Sequence, residues 1–235
     1  METNKPTSLS RRSAIGGMGA AMALPLVGPT ISSTAKPVEG KVALVTGSGR
    51  NLGRAAVLEL ARRGADVVVN ARSNREEAEA VAGEAEALGV RAIALLADVG
   101  NEQQVNQMVA EALGTFGRID ILINNAGFRG SSSIAEMSTD EWRAAAAVNY
   151  DGPFFCTRAV VPTMISNGYG RIITVSGLNS FHGRPNWSHI CGSKMVAIGM
   201  TRALATELAQ YGILVNHVVP GAYVAHPDLN RIPLG

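Results

Sequence analysis

Short apolar runs alternate with helical stretches from Lys41 onward, and this alternation limits the fold more than any other feature of the sequence. The runs are rich in β-branched residues and mostly continuous in hydrophobicity, which is typical of strands in a parallel sheet covered on both faces. Strand, helix and strand in succession form the repeat of α/β proteins, in which each helix connects two parallel strands. The pattern predicts one α/β domain around a doubly wound parallel sheet, and 235 residues suffice for a single core.

The pattern also locates the elements. Strands are predicted at residues 42–46, 66–70, 91–96, 120–124, 171–176 and 214–219, and helices near residues 52–63, 75–88, 102–116, 139–167 and 188–211. Ser138 and Glu141 form a capping-box signature at the start of the fourth helix. A glycine follows each helix, at the position where a left-handed residue commonly ends one: Gly64, Gly89, Gly117, Gly168 and Gly212.

The first predicted strand runs directly into a glycine-rich turn, TGSGRNLG at residues 46–53, and a helix follows at once. Glycines at a strand-to-helix turn let the backbone bend sharply and approach a pyrophosphate, whose charge then lies at the positive end of the helix. The turn therefore predicts a dinucleotide site at this end of the sheet.

Over residues 40–235 the sequence resembles the short-chain dehydrogenase/reductase family. Thr46, Gly47 and Gly53 match its TGxxxGxG pattern, and Asn51 stands where the middle glycine is usual; asparagine tolerates positive φ better than most residues. The other matches follow in the family's order: Asp98-Val99 for the adenine, Asn124-Asn125-Ala126-Gly127 for the NNAG motif, Asn149, Ser176, and Pro220-Gly221 after the sixth strand. The 3-oxoacyl-acyl-carrier-protein reductase branch is the most similar in appearance.

The resemblance implies a Rossmann-type fold and a nicotinamide dinucleotide cofactor. The residues it assigns to cofactor binding are Gly47, Arg50, Asn51, Leu52, Gly53, Arg72, Asp98, Val99, Asn125, Ala126, Gly127, Lys194, Pro220 and Gly221. The second strand ends without the acidic residue that an NAD-selective site uses to bind the ribose 2′-hydroxyl. Arg50 and Arg72 are instead placed to meet a 2′-phosphate, so NADP(H) is predicted in preference to NAD(H).

The resemblance also implies an oxidoreductase that interconverts a ketone and a secondary alcohol. Ser176 would hold the substrate oxygen, Lys194 the nicotinamide ribose, and Asn149 a proton-relay water. The family places a tyrosine four residues before the lysine as the group that exchanges a proton with that oxygen. Ile190 stands there in this sequence and has no ionisable group. A non-catalytic dinucleotide-binding protein is therefore the alternative to the enzyme.

No other residue fills the position of the tyrosine by its spacing. His189 is turned by about 100° around the helix from the Lys194 face, and His182 falls on the loop after the fifth strand, so packing is the first interpretation for both. Tyr150 and Tyr223 match no family position. A serine hydrolase built on Ser176 is not favoured, because no GxSxG motif surrounds that serine.

The N-terminal 35 residues differ from the rest of the chain. Ser10, Arg11 and Arg12 precede an uncharged run at residues 14–27, too short to span a bilayer, which takes about 20 residues, but suited to a signal peptide. The arginine pair resembles a twin-arginine export signal, with small residues near position 35 for cleavage. The sequence thus predicts a signal segment at 1–35, a dinucleotide-binding domain at 36–235 and a periplasmic or exported protein; a cytoplasmic protein with an N-terminal extension is the alternative.

The net charge and cysteine content of the chain limit the kinds of molecule that it is expected to bind. A net charge of +2, with no cluster of Lys and Arg among aromatic residues, argues against nucleic acid, and two cysteines without a CxxC spacing predict neither disulfide framework nor metal site. The expected partners are a small carbonyl or alcohol substrate and, if the chain self-associates, a second copy through the helices near 139–167 and 188–211; no membrane contact is expected after signal removal. The family continues beyond Gly235 into another helix and strand, so the resemblance implies a sheet without its last strand, in a shortened protein or a fragment.

Overall fold

Six parallel strands form one sheet at the centre of the fold, in the order β3-β2-β1-β4-β5-β6. The structure is a computed structural model that describes residues 36–221. The predicted signal segment at 1–35 and the residues from 222 to 235, including Tyr223, lie outside the described residues. The strands are β1 (Val42–Val45), β2 (Asp66–Ala71), β3 (Ala92–Leu96), β4 (Ile121–Asn124), β5 (Gly170–Val175) and β6 (Ile213–Val218).

Helices cover both faces of this sheet, as continuous apolar strands require. They are α1 (Asn51–Arg62), α2 (Arg75–Glu86), α3 (Glu102–Phe116), α4 (Thr139–Ala146), α5 (Gly152–Ser166), α6 (Asn179–His182) and α7 (Ser188–Leu208). One core lies between the sheet and α1 and α2, and a second core lies between the opposite face and α3, α5 and α7. The predicted α/β fold with a doubly wound, Rossmann-type parallel sheet is confirmed.

The predicted strands agree with the observed ones to within one residue at each end. The side chain of Ser138 accepts a hydrogen bond from the Glu141 backbone N–H at 3.1 Å, so α4 begins as its capping signature predicts. The glycines expected after the helices all have positive φ. These signals are local, which is why they can be read from the sequence.

The single helix predicted over 139–167 is wrong in one respect. A π-helical turn at Ala147–Asp151 separates α4 from α5. A π turn inserts one extra residue in the helix, and such turns frequently mark functional sites. The short α6 was not predicted because four residues carry no helical periodicity.

The sheet order places a crevice at the carboxyl ends of β1 and β4. The chain proceeds from β1 outward to β3 and then returns to β4 on the other side of β1, so these neighbours lead into connections on opposite faces. Ligands of open α/β sheets bind at this switch point. The glycine-rich turn and the NNAG segment follow β1 and β4, and therefore meet in this crevice.

Candidate active site

The glycine-rich turn packs tightly against the segment that follows β4. Gly47 has φ of 61°, and a Cβ there would come within 2.9 Å of the Ala126 Cα. A Cβ on Gly53 would lie 2.6 Å from the carbonyl oxygen of Gly47 and equally close to the Asn125 amide nitrogen. Asn51 has φ of 52°, the positive value that asparagine tolerates. Positions 47 and 53 therefore cannot carry a side chain in this backbone conformation.

Buried polar side chains fix this turn in place. Thr46 Oγ1 accepts hydrogen bonds from the backbone N–H groups of Asn125 and Ala126, each at 3.0 Å. The Asn125 side-chain amide donates to the carbonyl groups of Thr46 and Gly47. Asn125 was predicted to bind the cofactor, and in the structure its amide nitrogen joins the end of β4 to the glycine-rich turn.

Asn70, at the end of β2, is a site residue that the sequence reasoning missed. Its side-chain oxygen accepts from the Gly47 N–H at 3.0 Å, and its amide donates to carbonyl groups of Ala71, Leu95 and Ala97. The residue is buried. An asparagine that ends an otherwise apolar strand was the available signal, because a buried amide needs several partners.

Asn149 lies in the π-helical turn and connects three segments of the site. Its side-chain oxygen accepts from the Phe128 N–H at 2.9 Å, and its amide donates to Ser193 Oγ at 3.0 Å. Ser193 Oγ donates in turn to the His189 carbonyl oxygen at 2.6 Å. The chain of bonds joins the loop after β4 to α7. Ser193 was not predicted to take part, and its position beside Lys194 was the only signal.

The side chain of Lys194 extends from α7 toward Asn149 and Gly127. Its Nζ donates to the Val175 carbonyl oxygen at 3.4 Å, and a Cβ on Gly127 would lie 3.3 Å from Nζ and 3.5 Å from the Asn149 side-chain oxygen. Burial, with the positive charge of Arg129 nearby, lowers the pKa of Lys194 to about 8. Three predicted site residues therefore lie close together, because the Lys194 amine and the Asn149 amide are both next to Gly127.

Ser176 follows β5 directly after the carbonyl that Lys194 contacts. Its backbone N–H donates to Val218 on β6, whereas its buried Oγ has no hydrogen-bond partner among residues 36–221. Buried hydroxyl groups normally have a partner, and an exception calls for a functional explanation. A molecule bound in the crevice would supply that partner.

Ile190 and His189, which precede Lys194 on α7, are both buried. Ile190 is 3% exposed and lies one helical turn before Lys194, on the same face. His189 is 1% exposed, its ring nitrogens have no partner, and the ring packs edge-on against Phe128 at 6.3 Å between centroids. His182 is exposed at the end of α6. The packing interpretation of His189 therefore agrees with its contacts.

Three further predicted residues follow the carboxyl ends of β1, β2 and β3. Arg50 and Arg72 are both exposed, and Arg50 Nη1 lies 3.9 Å from the Glu77 carboxylate on α2. Asp98 accepts a hydrogen bond from the Gly100 N–H at 2.9 Å, which holds the turn after β3.

Four further predicted residues lie in segments that follow β1, β3 and β6 along the chain. Val99 is buried, Leu52 is partly buried in the first turn of α1, and the Pro220 carbonyl accepts from Leu178 just before the exposed Gly221. Within residues 36–221 no three metal-ligating side chains come together, and no helix there is long and apolar enough to cross a membrane.

The family model of the short chain dehydrogenases matches residues 41–229. The chain belongs to the short-chain dehydrogenase family. It is 39% identical to a 3-oxoacyl-[acyl-carrier-protein] reductase of Synechocystis over 202 residues, which cover 83% of this chain and 82% of that protein. The resemblance drawn from the sequence motifs is therefore confirmed, and the chain is a member of a family of oxidoreductases.

Solved structures agree with this membership. A 3-ketoacyl-ACP reductase from Sinorhizobium meliloti superposes with a TM-score of 0.75 at 38% identity, over 77% of this chain and 72% of that one. A xylitol dehydrogenase bound to NAD+ superposes with a TM-score of 0.75 at 35% identity, over 79% and 71%. The crevice between β1 and β4 is therefore part of a fold shared with a dehydrogenase that was solved with NAD+ bound.

Gly53→Ala tests the bare backbone of the glycine-rich turn. The new methyl group would meet backbone atoms at 2.6 Å, so the turn must shift, at a cost of about 1–3 kcal/mol. We expect dinucleotide affinity to fall by about 10- to 100-fold in a fluorescence titration. Gly83→Ala, in open space on α2, is the control and should bind normally. Equal affinities for the two variants would show that the turn does not hold the cofactor.

Proposed function

We propose that this protein transfers hydride between NADP(H) and a small substrate, interconverting a ketone and a secondary alcohol. The single observation that supports this most directly is the buried, unpartnered hydroxyl of Ser176 next to the carbonyl that Lys194 contacts. The oxygen of a substrate carbonyl gains negative charge as hydride is added, and it needs a hydrogen-bond donor beside it. The names of the relatives, a reductase and a dehydrogenase among them, fit this class of reaction.

The residues present fit a dinucleotide. Gly47 and Gly53 leave no room for side chains, and α1 begins in the turn with no acidic residue in its first turn. An anionic pyrophosphate is stabilised at such a helix start. When bound, the nicotinamide group supplies or accepts the hydride.

The polar groups of the site divide the remaining work. Ser176 Oγ donates a hydrogen bond to the substrate oxygen and so orients the carbonyl. The amine of Lys194 would hold the nicotinamide ribose, and Asn149, held by Phe128 and Ser193, would position a water on the path from solvent. Because these groups are hydrogen-bonded or buried before substrate arrives, little reorganisation is needed during reaction.

The preference for NADP(H) rests on Arg50 and Arg72. Replacing both by Ala should weaken NADPH binding by about 100-fold or more, because charge-assisted hydrogen bonds contribute about 1.5–3 kcal/mol each, and should change NADH affinity little. Fluorescence titration with each nucleotide measures the ratio. The contact of Arg50 with Glu77 predicts a further effect. Glu77→Gln removes the negative charge beside Arg50, which would otherwise compete with the 2′-phosphate, and should strengthen NADPH binding.

Arg62→Ala provides the matched control for the double variant. Arg62 is exposed on α1 and contacts Glu59, so its loss should leave both nucleotides unaffected. Equal losses of NADPH and NADH in the double variant would refute the 2′-phosphate assignment. A site that prefers NAD(H), as in the NAD+-bound xylitol dehydrogenase, would then be the better description.

A second function, a nucleotide-binding protein without turnover, is favoured by one observation. Ile190 presents a buried alkyl group on the helix face of Lys194, where proton exchange with the substrate oxygen would take place. General acid catalysis contributes about 10²–10⁴ in rate, so its absence would leave hydride transfer slow. Turnover of a panel of small ketones with NADPH separates the two functions, because both predict cofactor binding.

A further inference from the structure

Hydride addition to a carbonyl leaves a negative charge on oxygen, and some group must neutralise it. Ser176 can donate a hydrogen bond, but a serine hydroxyl is too weak an acid to give up its proton at neutral pH. Ile190 has no proton to give. A proton donor other than Ser176 and Ile190, either a side chain or a water, therefore has to reach the same place.

The side-chain amine of Lys194 is the candidate proton donor. Its Nζ contacts the carbonyl of Val175, the residue that precedes Ser176, and lies beside the bare Gly127 together with the Asn149 amide oxygen. No carboxylate among residues 36–221 forms an ion pair with Lys194. The amine thus has hydrogen-bonding capacity left for a molecule in the crevice, since an ammonium group carries three N–H donors.

We propose that the ammonium group of Lys194 supplies the proton to the substrate oxygen, directly or through one water beside Ser176. In the reduction, the carbonyl carbon gains the hydride, with its electron pair, from a reduced nicotinamide dinucleotide, which becomes oxidised. One N–H bond of Lys194 breaks as the O–H bond of the alcohol forms, and solvent then reprotonates the neutral amine. The inference rests on the proposed function and names its proton donor.

The charges around Lys194 suit this role. Arg129, on the loop after β4, repels the ammonium form, and burial, together with the charge of Lys194, lowers the pKa of His217 on β6. His189 lies on the same helix as Lys194, and its ring packs against Phe128. With a pKa of about 8, Lys194 is mostly protonated at neutral pH and yet releases its proton far more readily than an ordinary lysine.

His189 is the competing proton donor. It is buried with two unpartnered ring nitrogens, but it lies about 100° around the helix from Ile190. Its Nε2 lies 3.4 Å from where a Cβ of Gly130 would stand, on the loop that follows β4. His189→Asn therefore serves as the comparison variant, and we expect it to retain turnover.

The experiment uses the full chain with NADPH and a small ketone, and compares Lys194→Arg with Lys194→Ala. Arginine keeps the positive charge but does not lose its proton at neutral pH. We expect both variants to lose about 10²–10⁴ in the rate of reduction, and NADPH affinity in the arginine variant to change by less than about tenfold. Ethylammonium added to the alanine variant should restore the rate by tenfold or more, whereas tetramethylammonium, which has no N–H group, should not.

A second measurement does not depend on turnover. The reaction of Lys194 with an amine-selective reagent, followed by peptide mass spectrometry across pH, should show half-maximal rate near pH 8, with the exposed Lys36 as internal control for the reagent.

The inference is overturned if Lys194→Arg keeps the wild-type rate, if both ammonium ions rescue equally, or if His189→Asn removes turnover while Lys194→Arg does not. In those cases the proposed function still stands, because the wild-type chain turns over. Absence of wild-type turnover, with NADPH bound, would overturn the proposed function and the inference with it. The two failures are therefore distinguishable.

Discussion

Replacing Ile190 by Tyr should raise the rate of ketone reduction by about 10- to 100-fold. The phenol would stand one helical turn before Lys194, on the face that carries the amine, where it can exchange a proton with the substrate oxygen. The positive charge of Lys194 would also lower the pKa of this phenol toward neutral pH. The measurement is kcat/KM for a small ketone with NADPH, for the variant and the wild-type chain.

Ile190→Phe is the matched control, because it adds the ring without the hydroxyl. Ile190 is buried, so either ring has to displace neighbouring atoms, and only a difference between the two variants reports on the proton. Equal rates for tyrosine and phenylalanine would show that the proton donor is not what limits the reaction.

Lys194→Met should stabilise the protein by about 2 kcal/mol at pH 7. Lowering a lysine pKa from 10.5 to about 8 corresponds to roughly 3 kcal/mol of penalty on the charged form, and losing the bond to Val175 returns about 1 kcal/mol of it. The unfolded chain binds the proton more tightly than the folded chain. The penalty is therefore fully present below pH 8, and wild-type stability recovers as pH rises from 8 to 10.5.

Urea unfolding of the two chains, at pH 7 and at about pH 10.5, measures this difference. The advantage of the methionine variant should shrink at the higher pH. Cys156, whose pKa burial raises to about 12, also affects stability at high pH, but equally in both chains, so the comparison removes its effect. A wild-type chain as stable as the variant at pH 7 would contradict a lowered pKa for Lys194 in the folded protein.

The fold follows from the sequence because its signals are local and repeated. The apolar runs place β1 to β6 within one residue, and the glycines after the helices are needed at the positive φ values the structure gives them. The π-helical turn around Asn149 is a different case. Its five residues are too few to carry a periodicity of their own, and the contact of Asn149 with Phe128 is seen only in the structure.

Only those site residues that belong to a family motif could be predicted from the sequence. Asn149 and Lys194 both lie beside Gly127, Lys194 contacts the carbonyl of the residue before Ser176, and Gly47 and Gly53 meet the segment after β4.

The roles of other site residues depend on tertiary contacts. Asn125 binds the glycine-rich turn, Asn70 joins three strands, and Ser193 connects Asn149 to α7. None of these contacts has a spacing rule along the chain, since each joins residues far apart in the sequence.

One titration tests most directly whether this site binds nucleotide and reduces a carbonyl. The purified chain is titrated with NADPH by fluorescence, and a panel of small ketones is then added to the same cuvette while NADPH absorbance is followed. We expect saturable binding followed by slow but measurable oxidation of NADPH that depends on the ketone. Binding without any oxidation would contradict the oxidoreductase function and leave a nucleotide-binding protein, and the absence of binding would contradict the site itself.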